Sequence, residues 1–338
     1  MIRAAILGAS GYVGGELLRL CAGHPDLRPV RLFGDSRAGE AVANVHPHLT
    51  LAYPDIAIDR FEPAALDGID LVFAALPHGE SQKIVGVILE RGIPLVDLGA
   101  DFRLADAASY EQWYGGAHGA PELLEIFAYG IPEINREAIR NAKAVAAAGC
   151  YPTAAILALK PLVDAGLVKP GSVIVDAASG TSGAGRAASE ATAFNTVAGS
   201  FSAYGLLNHR HTAEMEQELG PGILFTPHLA PMARGILATC HAEAARPMEP
   251  DEPLEVLRAA YAGEPFVAVI DGAPATKWTA GSNAIQLTAR FDPRTGRLLA
   301  LAALDNLGKG AAGQMMQCAN LMLGLPETQG LSACGVYP

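Results

Sequence analysis

Residues 3–15 read Arg-Ala-Ala-Ile-Leu-Gly-Ala-Ser-Gly-Tyr-Val-Gly-Gly. A short apolar run enters glycines spaced as GxxGxxG, and Glu16–Ala22 then carries Leu17, Leu18 and Leu20 on a helical pattern. No other stretch limits the fold so strongly. Gly8 permits a tight turn between strand and helix. Gly11 lets backbone approach a pyrophosphate, and Gly14 lets helix and strand pack closely. The helix N-terminus then offers N–H groups and its positive dipole end to phosphates. Gly8, Ser10, Gly11, Tyr12, Val13 and Gly14 are therefore the candidate residues for holding a dinucleotide.

The pattern repeats along the first half. Val30–Phe33, Asp70–Leu76 and Ile93–Leu98 read as short buried strands, and Ser81–Arg91 as a helix stopped by Gly92. Apolar strands alternating with helices, without a period of two, predict a parallel sheet covered on both faces. After about residue 150 the pattern changes. Val173–Ala177, Ile223–Pro227 and Gly235–Ala242 read as strands. Ile285–Phe291 and Leu298–Ala303 flank a hairpin turn at Asp292-Pro293-Arg294-Thr295-Gly296. A second domain with a mixed sheet follows, and Lys309–Leu323 reads as a final helix. The length of 338 residues fits two domains.

Charge narrows the partners. The chain has 24 basic and 35 acidic residues, a net charge of −11. With no basic run, nucleic acid and anionic membrane are excluded as partners, and anionic ligands must be met by local cations. No apolar run reaches the length of a membrane span, and the N-terminus does not read as a signal peptide. Cys21, Cys150, Cys240, Cys318 and Cys334 form no CxxC, so neither a metal site nor a disulfide framework is expected.

Twenty-one positions after Gly14, the second strand ends in Gly34-Asp35-Ser36-Arg37. Asp35 suits the ribose hydroxyls of NAD. Ser36 and Arg37 suit a 2′-phosphate, and this pair favours NADP(H).

Ala148-Gly149-Cys150-Tyr151-Pro152-Thr153 places a cysteine at a helix start, because Pro152 suits a first turn that continues through Ile156, Leu157 and Leu159. There the dipole stabilises a thiolate. Burial as core filler is the expectation for Cys21, Cys240, Cys318 and Cys334. A proton partner is offered by His209-Arg210-His211-Thr212, with Thr212 as the expected N-cap of a helix Ala213–Leu219. An extended approach would turn His209 and His211 to one side, and His211 is the favoured acid–base group over His209. His46, His48, His118 and His228 have no comparable context. Arg103, Arg186 and Arg234 are candidate anion-binding residues.

With these residues in view, the chain resembles the N-acetyl-gamma-glutamyl-phosphate reductases of arginine biosynthesis. The motifs are the glycine turn 8–15, Leu-Pro-His-Gly at 76–79, Asp-Phe-Arg at 101–103 and Gly-Cys-Tyr-Pro-Thr at 149–153. Ser-Gly-Thr-Ser-Gly-Ala-Gly-Arg at 179–186, His-Arg-His-Thr at 209–212 and Asp-Asn-Leu-Gly-Lys-Gly-Ala-Ala-Gly-Gln at 305–314 continue the likeness in order. The resemblance implies a Rossmann domain over residues 1–149, completed by a C-terminal helix 309–338, and an α+β catalytic and dimerisation domain over 150–308. It implies Cys150 as nucleophile and a 76–79 loop, with Leu76 and Pro77, closing over the nicotinamide. Ser182, Gly183 and Asn306 would help hold NADPH, and Arg103 would hold the phosphate of a small acyl-phosphate substrate. A cytoplasmic homodimer or homotetramer is implied as well. The alternatives are a lysine-pathway aminoadipyl-phosphate reductase, an aspartate-semialdehyde dehydrogenase, or a dinucleotide sensor without activity. Tyr151-Pro152-Thr153 after the cysteine, where the lysine enzyme typically has Asn-Ala-Thr, favours the arginine enzyme.

Overall fold

The structure, a computed structural model, describes residues 1–338 and divides into two compact units. The first comprises Met1–Ala148 and Ala311–Leu331, the second Gly149–Gly310 and Ser332–Pro338.

In the first unit the elements run β1 (Ile2–Leu7), α1 (Tyr12–Gly23), β2 (Leu27–Phe33), α2 (Val42–Val45), β3 (Leu71–Ala74), α3 (Ser81–Glu90), β4 (Leu95–Asp97), α4 (Ala107–Tyr114), β5 (Phe127–Gly130), α5 (Pro132–Asn141) and β6 (Ala144–Ala147). Six parallel strands lie in the order β2-β1-β3-β4-β6-β5. Every residue of β3 and β6 is buried, as expected for strands covered on both faces. One apolar cluster joins Leu17, Leu18 and Cys21 of α1 to Met315, Met316 and Ala319 of the C-terminal helix. A second joins Val85 and Ile88 of α3 to Phe33, Leu66 and Phe102.

Two boundaries differ from the sequence reading. The first helix starts at Tyr12, not Glu16, so Gly14 and Gly15 lie inside it. A Cβ on Gly14 would stand 2.4 Å from the Gly8 carbonyl oxygen and 2.6 Å from Ala9 Cα, so helix and turn can approach only through a glycine. The second strand starts at Leu27 and contains Pro29, which is tolerated because β2 is the sheet edge and its register slips by one residue between Ala4 and Ala5.

In the second unit the elements run α6 (Cys150–Asp164), β7 (Ile174–Ser179), α7 (Phe194–Val197), β8 (Ser202–Ala203), α8 (His211–Leu219), β9 (Leu224–Leu229), β10 (Ile236–Glu243), α9 (Glu252–Ala260), β11 (Val267–Val269), β12 (Ile285–Asp292) and β13 (Arg297–Leu304). The sheet order is β11-β12-β13-β10-β7-β9-β8, with β7–β9 and β11–β12 parallel and the other pairs antiparallel. The β12–β13 turn closes as read: Gly296 takes φ 68°, and Asp292 accepts the Arg294 N–H at 3.0 Å and the Thr295 hydroxyl at 2.9 Å.

Helix α6 packs on β10, β13 and α8 and runs through Pro161 without ending. A proline there removes the N–H that would reach the Leu157 carbonyl. The Tyr261 hydroxyl donates to that oxygen instead, at 2.6 Å.

The final helix and the chain end need correction. The stretch expected as one helix from Lys309 opens as a wide π turn over Gly308–Ala312 and becomes α-helical at Gly313–Met322. Residues 332–338 leave the first unit for the second one: the Asn283 N–H donates to the Ser332 carbonyl and the Val336 N–H to the Ala280 carbonyl, both at 2.8 Å.

Candidate active site

Gly149 is the N-cap of α6 in extended backbone (φ −65°, ψ 155°), so Cys150 is the first helical residue, half-buried. Pro152 stands in the first turn, where its missing N–H loses no intrahelical bond. The Thr153 N–H and hydroxyl both donate to the Gly149 carbonyl at 2.9 Å, which closes the turn. The other cysteines differ. Cys21, Cys240 and Cys318 are buried, and burial pushes the Cys21 and Cys240 thiols up to about 12. Cys334 is exposed rather than core filler, because the terminal segment runs along the surface.

The histidine segment is a turn and not an extended approach. Helix α8 begins at His211 itself with Arg210 as N-cap, so Thr212 is inside the helix and makes no cap. The two imidazoles still meet, 4.7 Å apart. The His211 N–H donates to His209 Nδ1 at 3.2 Å, and the Tyr151 ring stands edge-on to both imidazoles. Phe225 packs on Tyr151 and His209. The Tyr151 hydroxyl donates to the His228 carbonyl at 3.1 Å and lies 3.0 Å from that of Tyr204. The environments of the pair diverge. Burial, and then the Arg210 charge, hold His209 down at about 4, so it is neutral at physiological pH. His211 Nε2 lies 3.8 Å from a carboxylate oxygen of Glu214.

No sequence motif marks Glu214, yet it is fully buried one turn into α8, and its other oxygen accepts the Gly149 N–H at 2.9 Å. The usable signal was its spacing of three from His211, which puts both on one helix face once the helix starts at His211.

Arg234 lies with Nε 2.9 and 3.1 Å from the oxygens of buried Asp305. Asp305 also accepts the N–H groups of Gly281, Leu307 and Gly308. Asn306 donates to the Ser182 hydroxyl at 2.9 Å and accepts the Gly235 N–H at 2.7 Å, so it ties the 180–185 loop to β10. Gly183 lies close to Ser179, and Arg186 is exposed further along the same loop.

In the first unit Gly8 (φ 77°) leaves β1 beside Ala75, whose carbonyl oxygen would stand 2.2 Å from an added Cβ. This is the point where strand order reverses, β2 lying on one side of β1 and β3 on the other. Open parallel sheets hold their ligands there. Gly11 is the N-cap of α1 and no side chain caps that end. A Cβ on Gly11 would meet only the Gly8 oxygen, at 3.4 Å. The outer side of the turn is therefore open, and its residues fit a pyrophosphate. Tyr12 and Val13 form the first turn of α1, and Ser10 lies beside Gly34 at the end of β2. His46, passed over in the sequence, supports the turn: its Nε2 bonds the Ala9 carbonyl at 2.8 Å, and Gly15 lies against its ring. Ser36 and Arg37 are exposed, and Arg37 bridges both oxygens of Glu40 at 3.1 Å.

Leu76 and Pro77 follow β3; Leu76 is half-buried and Pro77 is exposed. Arg103 is buried, and its Nη2 donates to the Leu98 carbonyl at 2.6 Å. Asp97, at the end of β4, accepts the Ser81 hydroxyl and the Gly99 N–H, and burial pushes it up to about 6 against these bonds.

No helix is long and apolar enough to cross a membrane. The semialdehyde dehydrogenase NAD binding domain matches residues 3–142, and the semialdehyde dehydrogenase dimerisation domain matches residues 150–306. The chain is 48% identical to the N-acetyl-gamma-glutamyl-phosphate reductase of Desulforudis audaxviator and 46% identical to that of Moorella thermoacetica, over the full length of both partners in each case. Aspartate semialdehyde dehydrogenase II of Vibrio cholerae, solved complexed with ASA, shares the fold at a TM-score of 0.71 with 18% identity, covering 96% of this chain and 98% of that one. The Candida albicans aspartate semialdehyde dehydrogenase, solved with NADP, does so at 0.71 with 16% identity and the same coverage. Likeness of this degree over both domains makes the chain a member of the N-acetyl-gamma-glutamyl-phosphate reductase family of semialdehyde dehydrogenases.

Proposed function

We propose that the protein reduces N-acetyl-L-glutamyl 5-phosphate to N-acetyl-L-glutamate 5-semialdehyde with release of phosphate, using NADPH, as a step of arginine biosynthesis in the cytoplasm. The observation that carries this reading is Cys150 as the first residue of α6, beside a glycine whose N–H is held by the carboxylate facing His211.

The helix dipole favours the thiolate of Cys150. The sulfur attacks the acyl carbon, the bond to the phosphate oxygen breaks, and phosphate departs with the electron pair. A thioester remains on Cys150. A thioester carbonyl is more electrophilic than a carboxylate and can be reduced at neutral pH. When bound, the dinucleotide supplies the hydride. His211 gives a proton to the resulting oxyanion and takes it back as the hemithioacetal collapses, which frees the aldehyde and the sulfur. His209, neutral and donating no proton at physiological pH, holds the first turn of α8 through its Nδ1.

Gly8, Ser10, Gly11, Tyr12, Val13 and Gly14 hold the pyrophosphate, Ser36 and Arg37 the 2′-phosphate, and Leu76, Pro77, Ser182 and Gly183 the nicotinamide end. Asn306 positions Ser182. Arg103, Arg186 and Arg234 are the cations assigned to the anionic substrate. The first unit is the dinucleotide domain and the second the catalytic and dimerisation domain. The exposed apolar side chains Phe194, Phe201, Leu206 and Leu207 in the second unit support self-association as a dimer or tetramer.

The test is oxidation in reverse. NADP with phosphate and each candidate semialdehyde should give NADPH fastest with N-acetylglutamate semialdehyde. A preference for aspartate semialdehyde or a lysine-pathway semialdehyde would replace the substrate, and dinucleotide binding without turnover on any of them would leave a sensor.

A further inference from the structure

The wide π turn at Gly308–Ala312 takes no part in the proposed chemistry, yet it lies against Cys150. The helix that follows is regular from Gly313, so the widening is confined to these five residues. Single π turns of this kind gather at functional sites. Two of its glycines meet fixed neighbours. A Cβ on Gly308 would stand 2.2 Å from the Ser282 carbonyl oxygen. A Cβ on Gly310 would stand 2.9 Å from Cys150 Cβ and 3.2 Å from Leu304 Cδ1. At both places bare backbone is packed where no side chain fits.

The turn is also anchored. Buried Asp305 accepts the Leu307 N–H at 2.9 Å, the Gly308 N–H at 3.1 Å and the Gly281 N–H at 2.6 Å. Its backbone carbonyl accepts the Gly310 N–H at 3.0 Å. These bonds fix the turn on the segment that carries Ser282, so bulk added at Gly310 must be met by Cys150 or by Leu304. Leu304 offers the far end of a flexible side chain. Cys150 offers its Cβ, which moves only with the first residue of α6, because rotation about χ1 turns the sulfur and leaves Cβ in place. Glu214 already holds the preceding residue, Gly149. We propose that Gly310 is a second positioning residue for Cys150: its bare backbone braces the Cys150 Cβ and so sets where the sulfur meets the acyl carbon. The inference rests on the thioester reading above.

The experiment mixes the whole protein with N-acetyl-L-glutamyl 5-phosphate in the absence of NADPH and follows acylation of Cys150 by rapid quenching and mass spectrometry. Calorimetric titration with NADPH and thermal melts accompany it. Gly310→Ala should slow acylation by about tenfold to a hundredfold, the scale of a misplacement of about 1 Å, and leave NADPH affinity unchanged. A merely structural role would lower the melting temperature and leave acylation of the folded protein as it was. Leu304→Val removes the Cδ1 atom on the other side of the added methyl. Combined with Gly310→Ala it should recover most of the acylation rate, and alone it should change that rate little. Where Gly310→Ala alone does not fold, the comparison moves to the Leu304→Val background. There Gly310→Val, too large for the space made, should slow acylation and Gly310→Ala should not. Unchanged acylation in folded Gly310→Ala, a loss that Leu304→Val does not recover, or weakened NADPH binding with acylation intact would overturn the assignment. No acylation of Cys150 in the unmodified protein would instead overturn the thioester reading itself.

Discussion

The carboxylate of Glu214 accepts the backbone N–H of Gly149 at 2.9 Å, across 65 positions of sequence. It thereby fixes the residue that precedes Cys150, the proposed nucleophile, while its second oxygen faces His211 at 3.8 Å. Glu214→Gln keeps an acceptor for Gly149 and removes the charge. Turnover should fall by about tenfold, the loss of roughly 1.4 kcal/mol of charge-assisted stabilisation, with the melting temperature little changed. Glu214→Ala leaves a buried donor unsatisfied and should destabilise the fold by about 1–3 kcal/mol as well. Steady-state rates beside thermal melts separate the two. Full activity in Glu214→Gln would show that its charge is not used.

Cys150→Ser should retain the fold and dinucleotide binding and lose reduction, because a serine hydroxyl is rarely ionised near pH 7 and an oxygen ester accepts hydride poorly. Two cysteines are accessible to alkylation, Cys150 and Cys334. Activity should be lost in step with modification of Cys150 and should be unaffected in Cys334→Ser. Mixing with acyl phosphate in the absence of NADPH should add the acyl group to the peptide bearing Cys150, read by mass spectrometry. An adduct on another cysteine would remove the covalent mechanism.

His211→Asn should lower turnover by about a hundredfold to ten-thousandfold, and His209→Asn by less. The reverse order would exchange their roles.

The pH dependence of stability carries two opposed signatures. His209 is held at about 4, below the ordinary histidine value of 6.5, so the unfolded chain takes up its proton first as pH falls. Its contribution to stability is complete above 6.5 and declines from there towards 4. Asp97 is pushed up to about 6 from 3.8, so the folded chain holds its proton longer. Its contribution is complete below 3.8 and is lost as pH rises to about 6. Urea unfolding between pH 4 and 7 should therefore show a flatter rise with pH for His209→Asn than for the unmodified protein, and a steeper rise for Asp97→Asn. A change of slope in the other direction for either variant would contradict the burial assigned to it.

Arg37→Ala should weaken NADPH roughly tenfold to a hundredfold, the range of a charge-assisted contact, and leave NADH nearly unchanged. Because Glu40 bonds the same guanidinium, Glu40→Gln should tighten NADPH. Equal affinity of the unmodified protein for both dinucleotides would count against the 2′-phosphate assignment.

The parts of the molecule legible in sequence depend on a few consecutive residues. The β1–α1 turn, the start of α6 at Gly149-Cys150 and the Asp292–Gly296 hairpin are backbone geometries set by glycine, proline and side-chain-to-backbone bonds within five positions. The rest required knowing which distant groups meet. The Tyr261 hydroxyl fills the carbonyl that Pro161 leaves open, 104 positions from Leu157. Asp305, Glu214 and Asp101 each gather donors from other segments, and the chain end leaves one unit to close on the other. A buried carboxylate stays buried only when donors surround it, and the path of the whole chain decides which donors those are. Local turn chemistry thus located the cysteine at the start of α6 and the glycine turn before α1, while the tertiary structure alone decided that the histidines lie in a helix start rather than an extended strand, and that His209 and His211 have different surroundings.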